Sequence, residues 1–160
     1  MTTGRIQMAE QAGAYVLRFS GDVRLNLCSS LDESIGTIFA GAGQASVIID
    51  LTSAENLDST TLGILAKLSL KARERGQMLP TVIITSPDIR RLLESMGFEQ
   101  LFNIIDSPMP CPDCLRDLPM QAVSEEEVRR RVLEAHQILM SLNEHNRQAF
   151  RDLVNSLGCC

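Results

Sequence analysis

Hydrophobic and polar positions alternate between Ile6 and Ser20, where Tyr15, Leu17 and Phe19 interleave with Val16 and Arg18. A period of two predicts two strands, and the break at Gln11-Ala12-Gly13 suits a hairpin, with Gly21-Asp22 ending the second strand. Ser30 and Glu33 have capping-box spacing, so a helix is expected to open near Ser30, turn Leu31, Ile35, Ile38 and Phe39 inward, and stop at Gly41-Ala42-Gly43. Val47-Ile48-Ile49-Asp50-Leu51 reads as a buried strand. From Leu62 the pattern shifts to helical spacing through Leu65, Ala66, Leu68, Ser69 and Ala72, with Gly76 as terminator. Thr81 to Thr85 is a further buried strand. Ser86-Pro87-Asp88 then opens a helix carrying Ile89, Leu92, Leu93 and Met96, which Gly97 closes. Leu101 to Ile105 reads as a short last strand.

Strands alternating with helices predict an α/β fold: a mixed sheet of four to five strands with helices mostly on one face. The strands from Val47 and Thr81 should lie parallel, joined by a crossover through the intervening helix. After residue 106 the pattern changes. Pro108, Pro110, Pro112 and Pro119 mark an extended linker over 107–120. Beyond it, Ser124 and Glu127 again have capping-box spacing. Val128, Val132, Ala135, Leu139, Leu142, Asn146, Ala149 and Leu153 recur at spacings of four and three, a heptad stripe. These features divide the chain into a domain over 1–106, the linker, and a long amphipathic C-terminal helix within 121–160. As one helix from Ser124 to Leu157 it would be about 50 Å long, too long to lie wholly against so small a domain.

Composition narrows the function. The chain has 160 residues and a net charge of −5, so it lacks the basic footprint of a nucleic-acid binder. No export signal and no apolar run of membrane-spanning length occur, which points to the cytoplasm and away from membranes. The five cysteines are odd in number, which suits free thiols rather than a disulfide framework. Cys111-Pro112-Asp113-Cys114 has half the spacing of a zinc site, and Cys159-Cys160 could supply two more thiolates, but adjacent cysteines at a chain end are awkward ligands. No metal, cofactor or catalytic residue is therefore expected, and a metal or redox protein is kept as a remote alternative. His136 and His145 read as surface histidines, with no Ser–His–acid arrangement around Ser59, and Arg129-Arg130-Arg131 as a solvated face.

The stretch with chemical content is Leu57-Asp58-Ser59-Thr60-Thr61-Leu62-Gly63, between a buried strand and a helix. Asp58 or Ser59 can simply cap that helix. The same junction can also hold a phosphate, because a helix N-terminus offers free N–H groups and partial positive charge. A phosphorylated Ser59 would add roughly −1.5 to −2 charges there.

Four stretches in order carry a family resemblance: Phe19-Ser20-Gly21-Asp22-Val23, Val47-Ile48-Ile49-Asp50-Leu51, Leu57 to Gly63, and Ile84-Thr85-Ser86-Pro87-Asp88-Ile89-Arg90-Arg91-Leu92-Leu93 running to Met96-Gly97-Phe98. Over roughly residues 5 to 106 the chain resembles the STAS family, specifically the bacterial anti-sigma factor antagonists. The resemblance implies a STAS-like fold and a binding protein that is a substrate of enzymes, not an enzyme. It implies that the unphosphorylated form binds an anti-sigma factor that is also a serine kinase, that phosphorylation of Ser59 releases it, and that a PP2C-type phosphatase resets the switch. By position it makes Ser59 the acceptor, with Thr60 as the second hydroxyl, and Asp22, Asp58, Ser59, Thr60 and Thr61 partner-binding. Thr61 departs from the commonest pattern, which has a small Gly there. The alternative is a STAS-like structural or accessory subunit without a phosphoswitch. The stripe over 124–157 either folds back on the domain or pairs with another copy or a partner's groove.

Overall fold

The computed structural model describes residues 2–41, 43–110 and 112–158. Cys111, Cys159 and Cys160, and the Ala42 of the glycine-flanked stop, lie outside the described residues. Strands β1 (Arg5–Gln11) and β2 (Ala14–Val23) form the antiparallel hairpin, pairing Ile6 with Phe19 and Met8 with Leu17. β2 does not end at Gly21-Asp22 but continues to Val23. The N-terminal segment runs beside it, with the Asp22 amide donating to the Thr2 carbonyl at 2.9 Å. Gly21 makes this possible: its φ is +71°, and a Cβ there would lie 2.6 Å from the Thr3 carbonyl oxygen.

Helix α1 (Cys28–Ile38) follows a single tight turn over Leu25–Leu27. The capping box expected at Ser30 does not form. Ser30 lies inside the helix, buried, and its hydroxyl donates to the Pro119 carbonyl. The turn started the helix earlier, so Ser30 was free to tie down the later chain instead. Leu31, Ile35, Ile38 and Phe39 are buried, in line with their spacing.

Strand β3 (Ser46–Leu57) outruns the apolar stretch that announced it, because β2 offers a parallel partner as far as Val23↔Leu57. It delivers the chain directly to α2 (Ser59–Glu74). Then come β4 (Thr81–Ile83), α3 (Pro87–Ser95) and β5 (Asn103–Ile105). β3 pairs parallel with β4, and β4 with β5. The linker region contributes a strand that its composition hid. β6 (Arg116–Asp117) pairs antiparallel with β1, and the Leu118 amide donates to the Ile6 carbonyl at 2.8 Å. The fold is α/β with a six-stranded mixed sheet in the order β5-β4-β3-β2-β1-β6.

The C-terminal segment is two helices rather than one. α4 (Glu125–Leu142) opens on the Ser124 cap, whose hydroxyl accepts from the Glu127 amide at 3.1 Å, and α5 (Glu144–Gly158) follows after a single residue. Asn143 is fully extended, with φ −166° and ψ 169°. Its side-chain oxygen accepts from the Asn146 amide at 2.8 Å, making it the N-cap of α5. The break folds α5 back on α4 and removes the length problem. It also resets the phase of the stripe: Asn146 is buried and Phe150 and Val154 are half-buried, whereas Ala149 and Leu153 are exposed.

Among the described residues no helix is long and apolar enough to cross a membrane, and no group of three or more His, Cys, Asp or Glu is placed to hold a metal ion.

Candidate functional site

Asp58 follows β3 and caps α2. Its backbone is extended, with φ −77° and ψ 168°, and one carboxylate oxygen accepts from both the Thr61 amide at 2.9 Å and the Thr61 hydroxyl at 2.8 Å. The Asp58 amide donates to the Val23 carbonyl at 3.1 Å, which ties the junction to the end of β2. Capping therefore belongs to Asp58. Ser59, the first helical residue, is spared that task.

The Ser59 hydroxyl meets a group that its sequence position did not suggest. It lies 2.7 Å from Nε2 of His136 on α4. Nδ1 of the same ring is 2.7 Å from the Val132 carbonyl, which can only accept, so Nδ1 carries a proton. In the neutral ring Nε2 is then an acceptor, and Ser59 donates to it. Far from being a surface histidine, His136 is 2% exposed, and Phe150 of α5 stands edge-on to it at 5.0 Å between centroids. His145 is exposed, as its position suggested. A hydroxyl beside an imidazole is half of a nucleophile–base pair, but the ring's other nitrogen is held by a carbonyl rather than a carboxylate.

Thr60 and Thr61 are both buried, at 4% and 1% exposure, and the Thr61 hydroxyl is already held by Asp58. Asp22 sits at the end of β2 on the same side of the sheet as the junction. It accepts from Arg24 Nε at 2.7 Å and from Asn56 Nδ2 at 3.2 Å, and the Arg24 guanidinium holds its carboxyl below the usual range. Asp22 and Asp58, with Thr2, Arg24, Leu25 and Asn56, line an open cleft of about 730 Å³. The structure thus brings Asp22, Asp58 and Ser59 to one end of the parallel strands, while Thr60 and Thr61 turn inward.

Beyond Ser59, α4 meets α2 through Gly63 and Lys67. A Cβ on Gly63 would lie 2.4 Å from the Ala135 carbonyl oxygen, so only glycine lets the two backbones approach this closely. Lys67 Nζ donates to Asp32 of α1 at 2.9 Å and to Glu134 of α4 at 2.6 Å. Burial works to lower the Lys67 pKa, but these two carboxylates outweigh it and the net direction is upward. Arg131 is not part of a solvated face: it donates to Asp32 at 2.8 Å and to Glu127 at 3.2 Å. Cys28 is buried in α1, and burial pushes its thiol pKa up, which makes it a poor nucleophile. The sequence did contain a signal for His136, since it lies four residues from Val132 and three from Leu139, beside the stripe. Asp32 and Lys67 carried no comparable signal.

Comparison with known proteins agrees with this architecture. The STAS domain pattern matches residues 5–108. The anti-sigma-F factor antagonist RsfB of Mycobacterium tuberculosis is 30% identical over 103 residues, covering 64% of this chain and 81% of that protein. In fold, the chain is similar to the crystal structure of an anti-sigma factor antagonist from Mycobacterium paratuberculosis, with a TM-score of 0.55, 24% identity, and coverage of 66% of this chain and 87% of that one. It is also similar to the NMR structure of the protein TM1081, with a TM-score of 0.52, 14% identity, and coverage of 62% and 79%. The STAS match ends at residue 108, before α4 and α5. The chain belongs to the STAS domain family and, within it, to the anti-sigma factor antagonists, which are regulatory proteins and not enzymes.

Proposed function

We propose that this protein is a phosphorylation-controlled anti-sigma factor antagonist, with Ser59 as the acceptor. Its unphosphorylated form binds an anti-sigma factor that is also a serine kinase. The kinase passes a phosphoryl group from a nucleoside triphosphate to the Ser59 oxygen, and a PP2C-type phosphatase hydrolyses it off again. The observation that carries this reading is the division of labour at the start of α2: Asp58 performs the capping, so the Ser59 hydroxyl is not required to hold the helix together. Burial of Thr60 and Thr61 favours Ser59 over its neighbours. The docking face comprises Asp22, Asp58 and Ser59. A dianion beside Asp58 and Asp22 would be repelled by an acidic partner surface. Moving a complex from nearly all bound to nearly all free takes about 5.5 kcal/mol, or about 10⁴-fold in affinity. Desolvating an unpaired phosphate in an interface costs several kcal/mol, so the two quantities are comparable.

One observation favours the second reading, a STAS-like accessory subunit without a phosphoswitch: the Ser59 hydroxyl is already taken by His136. A pull-down with wild type, Ser59→Ala and Ser59→Asp, read by mass spectrometry, separates the two. The switch predicts that the Ala variant keeps an anti-sigma factor and the Asp variant loses it, with one phosphate in the intact mass of wild type from cells. A partner retained equally by all three, with no phosphate, supports the accessory subunit instead.

A further inference from the structure

α4 shows what the α2 face accepts. Its contacts are of three kinds: a hydrogen-bond acceptor opposite the Ser59 hydroxyl, supplied by His136; a small residue against Gly63, supplied by Ala135; and opposite charges facing Asp32 and Lys67, supplied by Arg131 and Glu134. Helix α2 is buried nearly all round, including Gly63, Ile64 and Ala66, as befits a helix covered on both sides. The covering layer is held more lightly than what it covers. The only fully buried apolar residues in α4 and α5 are Ala135 and Leu139, among the described residues. Two buried polar atoms, Arg131 Nε and Asn146 Oδ1, have no hydrogen-bond partner, and leaving such atoms unpaired weakens the packing that buries them. Two fully buried apolar residues, with Ile138, Leu142 and Phe150 only partly buried beside them, and two unsatisfied polar groups describe an element that opens locally while the core stays folded.

We propose that the face formed by Ser59, Gly63, Lys67 and Asp32 is a helix-docking surface, that the α4–α5 hairpin is its resting occupant, and that an anti-sigma partner displaces this hairpin with a helix of its own. The partner helix carries a small residue against Gly63, a cation toward Asp32 and an anion toward Lys67. This rests on the Ser59 reading above and deepens it. With the hairpin down, the Ser59 oxygen is within 2.7 Å of an imidazole nitrogen, which leaves no space for a phosphoryl group between them. The hairpin therefore limits both binding and phosphorylation.

The test uses the full chain with Ala135→Glu, which cannot fit against Gly63 but leaves the α2 face unaltered, and Ala149→Glu on the exposed side of α5 as control. Hydrogen exchange of wild type is expected to show α4 and α5 amides exchanging at least tenfold faster than those of β2, β3 and α2. Exchange of all elements together would overturn the proposal, because the cover then never lifts alone. A synthetic peptide of residues 124–158 should bind the Ala135→Glu protein saturably and not wild type. Absence of binding to the variant, with its sheet still protected, overturns the docking surface. The anti-sigma factor retained by wild type in the pull-down should bind Ala135→Glu at least tenfold more tightly, and unchanged or weaker binding refutes the competition. If the exchange and peptide results hold but no Ser59 variant retains a partner, the switch reading fails and the helix-docking surface survives it.

Discussion

Asp58 and Ser59 are adjacent and chemically similar, yet their surroundings give them different work. Asp58 is extended and satisfies Thr61 twice with one oxygen, while Ser59 enters the helix with its hydroxyl turned toward α4. Loss of a capping carboxylate costs about 1 kcal/mol. Asp58→Ala should therefore lower stability by about that amount in urea denaturation, with an unchanged slope, and release the Thr61 hydroxyl. Ser59→Ala removes no cap and should leave most of that stability in place. Thr61 fits the same junction: its side chain is buried, and Asp58 takes the polar atom.

At the scale of elements, one residue decides the shape of the C-terminal third. Asn143 stops α4, caps α5, and also reaches the Met96 carbonyl at 3.4 Å, where Asn146 Nδ2 donates at 2.9 Å. The hairpin is thus pinned to the end of α3 by two asparagines rather than by a large apolar face. Asn143→Ala should weaken the docking of α5 by about 1 kcal/mol, the value of a cap. The expected readout is roughly fivefold faster hydrogen exchange in α5, with β2 and β3 unaffected. Equal protection of α5 in the variant would mean that the stripe, not the asparagine, defines the break.

The whole molecule is three layers deep at α2, with the sheet beneath and α4 above, and charge joins the upper two. Lys67 is held between Asp32 and Glu134, and Arg131 also reaches Asp32. Because the Lys67 pKa is raised in the folded protein, the stabilisation it contributes is fully present below the ordinary lysine value and is lost as pH climbs through the raised one. Stability of the hairpin should accordingly fall off above about pH 10.4. Lys67→Met should flatten that alkaline limb, as measured by circular dichroism across pH 7–12. An identical limb in the variant would assign the alkaline loss to other groups.

Most of the central sheet was legible from local pattern, because Val47, Ile49 and Leu51 and Val82 and Ile83 are short runs of buried apolar residues, rich in β-branched side chains. The junction at Ser59 was legible too, since strand, cap and helix are all local. Strand ends were not. β2 and β3 run on to Val23 and Leu57 because each finds the other and the N-terminal segment beside it, which is a matter of pairing across the chain. β6 escaped notice within a proline-rich stretch because two residues acquire strand geometry only by meeting β1. His136 changed most. From its own neighbourhood it was one polar residue on a helix, and what turned it inward onto Ser59 was the return of the chain after residue 124. The sequence by itself determined the family, the central strands and the hydroxyl at the head of α2. Only the tertiary structure decided that this hydroxyl is covered, because contacts between residues 77 positions apart depend on how helices stack and not on what any segment prefers alone.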